Sequence, residues 1–211
     1  FGFDKYKNNQ EEIIKELLAG KDILTVMPTG GGKSLCYQLP ATLFDGLTIV
    51  VSPLIALMQS QVAQLKLLGI KAYCLNSSNS DAENKETMGM LESNEIKLLY
   101  VAPERLIKNE TIDLLKTKKI SLLAIDEAHC VSQWGHDFRK EYLKLGEVRK
   151  ELSMVQTIAL TATADETTRR DIIDKIFPKK PSIFIAGFDR PNIYLSMLPK
   201  NKAKEQILSF I

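Results

Sequence analysis

Cysteine, histidine and tryptophan are all scarce in this chain of 211 residues, which holds three, two and one of them. Cys36, Cys74 and Cys130 lie far apart with no CxxC pair. That excludes a disulfide framework, and with only His129 and His136 to help, a zinc site has poor prospects. The thiols read as buried and reduced, as in a cytosolic protein. Strong net charge is lacking too: 28 basic and 26 acidic residues leave +2, so any nucleic-acid contact must come from local placement rather than bulk charge. No apolar run approaches the ~20 residues that cross a bilayer, and the N-terminus carries no signal-peptide pattern. No membrane partner is expected. Repeats and low-complexity stretches are missing as well. The chain begins at Phe1 rather than Met, which reads as an excised piece of something longer.

What is present is ordinary globular composition, 45% hydrophobic and 26% charged, which excludes a disordered chain. At roughly 150 residues per domain the length sits between one domain and two. Short runs rich in Val, Ile and Leu predict strands over 23–27, 48–52, 72–75, 97–101, 122–125, 157–160 and 182–186. They are mostly apolar on both faces, as a parallel sheet covered on both sides requires. Helical patterns fall between them, over 10–19, 33–43, 54–68, 81–91, 138–152 and 165–176. This alternation predicts an α/β fold with a mostly parallel central sheet and helices on both faces. Residues 201–211 read as a further helix with nothing after it to pack on.

The first strand runs into Met27-Pro28-Thr29-Gly30-Gly31-Gly32-Lys33-Ser34 and then a helix. Glycines let the backbone curl so that successive N–H groups point inward at phosphate oxygens near a helix N-terminus. Lys33 would reach the outer phosphates, and the Ser34 hydroxyl would ligate Mg²⁺. The strict phosphate-loop pattern fails by one glycine, at Met27. A second signal follows the fully apolar run 122–125, which ends in Asp126-Glu127-Ala128-His129. Two carboxylates at the tip of a buried strand need an electropositive partner, and Mg-nucleotide supplies one. Asp126 would hold the metal, and Glu127 would accept a proton from the attacking water.

A third signal is the polar stretch 131–139, which packs Trp134, His136, Phe138 and Arg139 close together. Aromatic faces stack on unpaired bases without sequence preference, worth ~1–3 kcal/mol per base, and Arg139 can pair with phosphate or stack. The competing reading makes Trp134 and Phe138 anchors of the loop on the sheet. Because the stretch follows Glu127 by only a few residues, a change in its shape on binding DNA could be carried to that carboxylate.

MPTGGGKS, DEAH and the later Leu160-Thr161-Ala162-Thr163-Ala164 together resemble the first motor domain of a superfamily 2 helicase, a RecA-like P-loop NTPase domain whose phosphate loop lacks the first glycine. More narrowly, the chain resembles the RecQ family of DNA helicases over nearly its whole length. The segment from Val131 to Arg139 is similar to that family's aromatic-rich loop. Phe1-Gly2-Phe3 with Gln10 is similar to its adenine-recognition motif, and VSPL (51–54), APERL (102–106) and FDRPN (188–192) complete the pattern. The resemblance implies that Phe3 stacks on adenine, that Gln10 hydrogen-bonds its edge, and that Thr29, Gly30, Gly31, Gly32, Lys33 and Ser34 bind ATP and Mg²⁺. It implies that Thr161 and Thr163 link the nucleotide to a DNA-binding face. Lys7 stands where family members often carry Arg, which keeps the charge and loses the planar fork.

By the same resemblance, residues 1–195 form the ATP-binding domain and 196–211 a linker into a second RecA-like domain, which supplies arginines to the composite site. Single-stranded and forked DNA are the implied partners and 3′–5′ the implied polarity. The implied location is the cytoplasm, with the nucleoid in a bacterium or the nucleus in a eukaryote. Two other readings stand beside this one: an interaction module with a vestigial ATP site, and an RNA helicase domain.

Overall fold

The structure, a computed structural model, describes residues 1–7, 9–135, 137–187, 194, 196–197 and 199–209. In chain order it runs α1 (Gln10–Leu18), β1 (Ile23–Val26), α2 (Leu35–Leu43), β2 (Leu47–Val51), α3 (Ile55–Leu67), β3 (Ala72–Leu75), α4 (Asp81–Glu92) and β4 (Leu98–Val101). There follow α5 (Pro103–Leu106), α6 (Asn109–Lys116), β5 (Ile120–Ile125), α7 (Leu145–Glu151), β6 (Thr157–Thr161), α8 (Glu166–Ile176), β7 (Ser182–Ile185) and α9 (Ala203–Leu208). Two 3₁₀ turns, Ala128–Val131 and Lys140–Lys144, fill the space between β5 and α7.

The seven strands form one sheet in the order β3-β4-β2-β5-β6-β1-β7, and every pairing is parallel. Each crossover therefore lays its helix on a face of the sheet. Alternating side chains divide the core accordingly. Leu122 and Ala124 of β5 pack with Ile13 and Leu17 of α1, Tyr37 of α2, and Met58 and Leu65 of α3. Leu123 and Ile125 pack on the other face with Leu115 of α6, Val148 of α7, and Ile172 and Ile176 of α8.

All seven predicted strands are present. α5 and α6, which make the crossover from β4 to β5, are not among the predicted helices. One helix predicted over 138–152 is in fact an extended Phe138 and Arg139, the Lys140–Lys144 turn, and only then α7. The tighter turn directs Tyr142 inward, where it is fully buried and its phenol donates to the Asp126 carbonyl (2.9 Å). α7 also docks closely on the end of α8: a Cβ at Gly146 would sit 2.1 Å from the Lys175 carbonyl oxygen. Coverage of both sheet faces fails at the edge strand β7, where Ile183 and Ile185 are exposed. α9 buries none of its residues. The motif at 188–192 and the end of the helix predicted over 201–211 lie outside the described residues. Among the described residues, no helix is long and apolar enough to cross a membrane.

Candidate nucleotide site and aromatic loop

Sheet order decides which motifs meet. β5, β6 and β1 are neighbours, so the acidic pair, the Thr161–Thr163 segment and the phosphate loop leave the same edge side by side. The register places Ile125 opposite Ala159 and Val26 opposite Thr161, and the Met27 N–H donates to the Thr161 carbonyl (3.0 Å). In open parallel sheets, ligands bind outside the carboxyl ends of the strands.

The phosphate loop needs its glycines for two different reasons. Gly30 and Gly32 have φ of 80° and 79°, a left-handed backbone that suits glycine. Gly32 also admits the Gln10 side chain, whose Nε2 would lie 2.2 Å from an added Cβ. Gln10 is almost fully buried, at 2% exposure. Its Nε2 donates to the carbonyls of Gly32 (2.9 Å) and Gly31 (3.5 Å), and its Oε1 accepts from the Lys7 N–H (2.7 Å). The residue expected at the base edge is thus also the tie between the N-terminal segment and the loop. Lys33 Nζ donates to the Met27 carbonyl across the loop (3.2 Å). Ser34 is half-buried just ahead of α2, and Thr29 is exposed at the loop tip.

Beside the loop lies a cavity of about 240 Å³ lined by Phe3, Lys7, Gln10, Gly32, Gln38 and Leu68, among others. Phe3 is largely exposed, one ring face available at the rim. The contributions of Gln38, Gln64, Leu65 and Leu68 come from α2, α3 and the residue that follows α3, and carry no sequence motif.

Asp126 is buried at the end of β5. Its N–H donates to the Val51 carbonyl (2.8 Å), and its Oδ1 accepts from the Glu127 N–H (3.0 Å). Burial, with the neighbouring Glu127 charge, pushes its carboxyl up to about 6; the Glu127 N–H and the Lys33 charge oppose the rise. Glu127 sits in the left-handed region (φ 49°, ψ 45°), which carries strain for a non-glycine residue. The two successive carboxylates thereby turn apart.

His129, which sequence analysis treated only as a weak metal ligand, is the hub of this region. Its Nδ1 lies 2.8 Å from Thr161 Oγ1 and 3.3 Å from Glu127 Oε2. Thr161 Oγ1 donates to the Thr163 carbonyl (3.0 Å) and accepts from the Thr163 N–H (3.3 Å). Thr161 and Thr163 are therefore connected to the acidic pair through one imidazole. The signal available was the fourth letter of DEAH.

The aromatic loop projects from the same edge. Trp134 is 76% exposed, so it does not anchor the loop; Phe138 is half-buried and suits that role. Arg139 pairs within the loop, with Nε and Nη2 donating to Asp137 Oδ2 (3.3 and 3.1 Å). His136 lies outside the described residues. Cys36 and Cys130 are buried, and burial pushes both thiols up to about 12; such thiols are unreactive.

A phosphate-loop sequence beside an acidic pair at the same sheet edge is the layout of the P-loop NTPase class, and the family model for DEAD/DEAH box helicases matches residues 7–172. The chain belongs to that family. It is 48% identical over its full length to the ATP-dependent DNA helicase RecQ of Pasteurella multocida, and spans 33% of that protein. It is 45% identical over 92% of its length to the probable ATP-dependent DNA helicase RecS of Bacillus subtilis, covering 39% of it. To the RecQ-like DNA helicase BLM of Xenopus laevis it is 42% identical over 95% of its length, covering 15%. Among solved structures, the DEAD-box helicase Mss116 bound to ssRNA and UDP-BeF superposes with a TM-score of 0.68 at 19% identity, over 87% of this chain and 40% of that one. The Hef helicase domain of Pyrococcus furiosus gives 0.66 at 18% identity, over 89% and 39%. These two likenesses establish the fold alone.

Proposed function

We propose that the chain is the first motor domain of a RecQ-type DNA helicase, with residues 1–195 binding ATP and Mg²⁺ and the stretch from 196 leading toward a second RecA-like domain. The observation that carries this reading is the convergence, on one sheet edge, of the Lys33 loop, buried Asp126 with half-buried Glu127, and the exposed Trp134. The residues present fit the nucleotide. The Gly30–Gly32 turn bends through two left-handed glycines next to Lys33, and buried Asp126 with half-buried Glu127 forms a negative site that the Glu127 N–H and then the Lys33 charge partly offset. Gly30 to Gly32 and Lys33 would hold the phosphates, Ser34 and Asp126 the Mg²⁺, and Phe3, Lys7 and Gln10 the base. Bound Mg²⁺ supplies charge neutralisation at the phosphates.

The chain's own residues do the rest. Lys33 exchanges the Met27 carbonyl for phosphate oxygen. Glu127 accepts a proton from the attacking water. His129 holds Glu127 against Thr161, so a shift in the Thr161–Thr163 segment reaches the base. Trp134 offers a free ring face to an unpaired base. The DNA preference rests on this loop and on the RecQ relatives, and the location that goes with it is the cytoplasm, at the nucleoid in a bacterium or in the nucleus of a eukaryote.

The test uses the full-length protein that carries this chain. Glu127→Gln should retain Mg-ATP binding and lose DNA-stimulated hydrolysis, and Lys33→Ala should lose turnover with the fold intact. Near-parental turnover in folded Lys33→Ala would falsify the assignment. RNA stimulating ATPase activity as well as DNA does would favour the RNA helicase reading.

A further inference from the structure

We infer that Tyr142 is a positioning residue through which the aromatic loop sets the acidic pair, a role that rests on the motor-domain reading above. A short circuit of hydrogen bonds carries the argument. The Cys130 N–H donates to the Glu127 carbonyl (2.9 Å), the Arg139 N–H to the Cys130 carbonyl (2.9 Å), and the Tyr142 N–H to the Arg139 carbonyl (3.0 Å). The Tyr142 phenol then closes the ring on the Asp126 carbonyl (2.9 Å). The loop that displays Trp134 is thus closed at its base by Cys130 and Arg139, and its outgoing strand ends on the main chain of the residue assigned to the metal.

The incoming side of the loop is fixed elsewhere. Ser132 is fully buried, and its Oγ donates to Asp171 Oδ2 of α8 (2.7 Å). Lys175 Nζ donates to the Val131 carbonyl (3.3 Å) and to the same Asp171 oxygen (3.2 Å). Gly135 lies so close that an added Cβ would stand 2.5 Å from the His129 carbonyl oxygen. With residues 131–132 pinned to a helix packed on the core, a displacement of the loop passes to the 139–142 side. There the buried phenol is the contact that reaches the acidic pair. The Asp126 backbone is held by Val51 through its N–H and by Tyr142 through its carbonyl, so losing the phenol frees one of two restraints while the ring still fills its place.

Tyr142→Phe in the full-length protein tests this, with turnover measured against the concentration of a single-stranded oligonucleotide. Basal turnover and the DNA concentration for half-maximal stimulation should stay near parental values, and the melting temperature should fall by only a few degrees, the scale of one lost buried hydrogen bond. The maximal stimulated rate should fall about three- to tenfold, the scale of one hydrogen bond that counts in the activated state. Unchanged stimulation overturns the inference. A loss of basal turnover in the same proportion also overturns it, because Tyr142 would then support the site without regard to DNA. A parental enzyme that shows no DNA stimulation removes the motor-domain reading and this inference together, whereas a stimulated parent matched by Tyr142→Phe removes this inference alone.

Discussion

At the scale of the single residue, Asp126 has the clearest consequence. Its carboxyl is held up at about 6 by burial and by Glu127, above the ordinary aspartate value near 3.9. A folded-state pKa above the unfolded one means that ionisation opposes folding. Below about pH 4 the group is protonated in both states and contributes no penalty. The penalty grows as pH rises through the window from about 4 to about 6 and is constant beyond it. In the nucleotide-free protein, the melting temperature of Asp126→Asn relative to the parent should therefore climb across that window and level off above it. A gap that does not vary with pH would mean that Asp126 ionises freely in the fold. Other residues of the site divide by how their signals arise. Lys33, Ser34, Asp126 and Glu127 were legible because a glycine turn and adjacent carboxylates are unusual beside buried strands. His129, Gln10 as a tie to the loop, and Tyr142 were not legible, because each acts through a partner many positions away in sequence: Thr161, Gly32 and Asp126.

At the scale of the element, strands were easier to read than helices. A parallel strand buried on both faces is a continuous apolar run, while α5 is four residues long and α6 eight, too short for a helical period to stand out. The break inside the helix predicted over 138–152 has the same kind of cause, a tertiary bond from Tyr142 overriding local preference. α7 carries a second hidden device. Arg149 is 3% exposed and spreads its guanidinium over three partners: Asp22 Oδ2 ahead of β1 (2.6 Å), the Val155 carbonyl ahead of β6 (2.9 Å), and the Ile176 carbonyl ending α8 (3.3 Å). It also lies over the Phe177 ring, 5.5 Å from its centre. Removing one partner of a buried ion pair costs about 3–5 kcal/mol. Arg149→Ala should accordingly lower the melting temperature by on the order of 10 °C, read by calorimetry. Arg149→Lys should recover only part of that loss, since an ammonium cannot serve the forked geometry. Full recovery with lysine would reduce the site to simple charge pairing.

At the scale of the whole molecule, the proposed site faces outward from one edge of the sheet, with Glu127 and Lys33 both partly accessible. An arginine finger is worth on the order of 10³–10⁵ in rate where measured, and in the proposed two-domain arrangement such arginines would come from the second motor domain. The isolated 211-residue chain should therefore show little DNA-stimulated ATPase activity, measured beside the full-length protein. Robust stimulated turnover by the chain alone would contradict the two-domain reading. The α/β class and the three motifs were legible in the sequence, but strand order was not, since periodicity says nothing about which strands are neighbours. That order also bears on biosynthesis. β1, which launches the phosphate loop, lies between β6 and β7 and pairs with both, and Ile23 finds its partners at Ile158 and Ser182. At about 5–20 residues per second on the ribosome, roughly 7 to 27 seconds separate the emergence of β1 from that of its first partner. Throughout that interval an apolar strand stands unpaired, and the proposed nucleotide site cannot exist until nearly the last strand has been made.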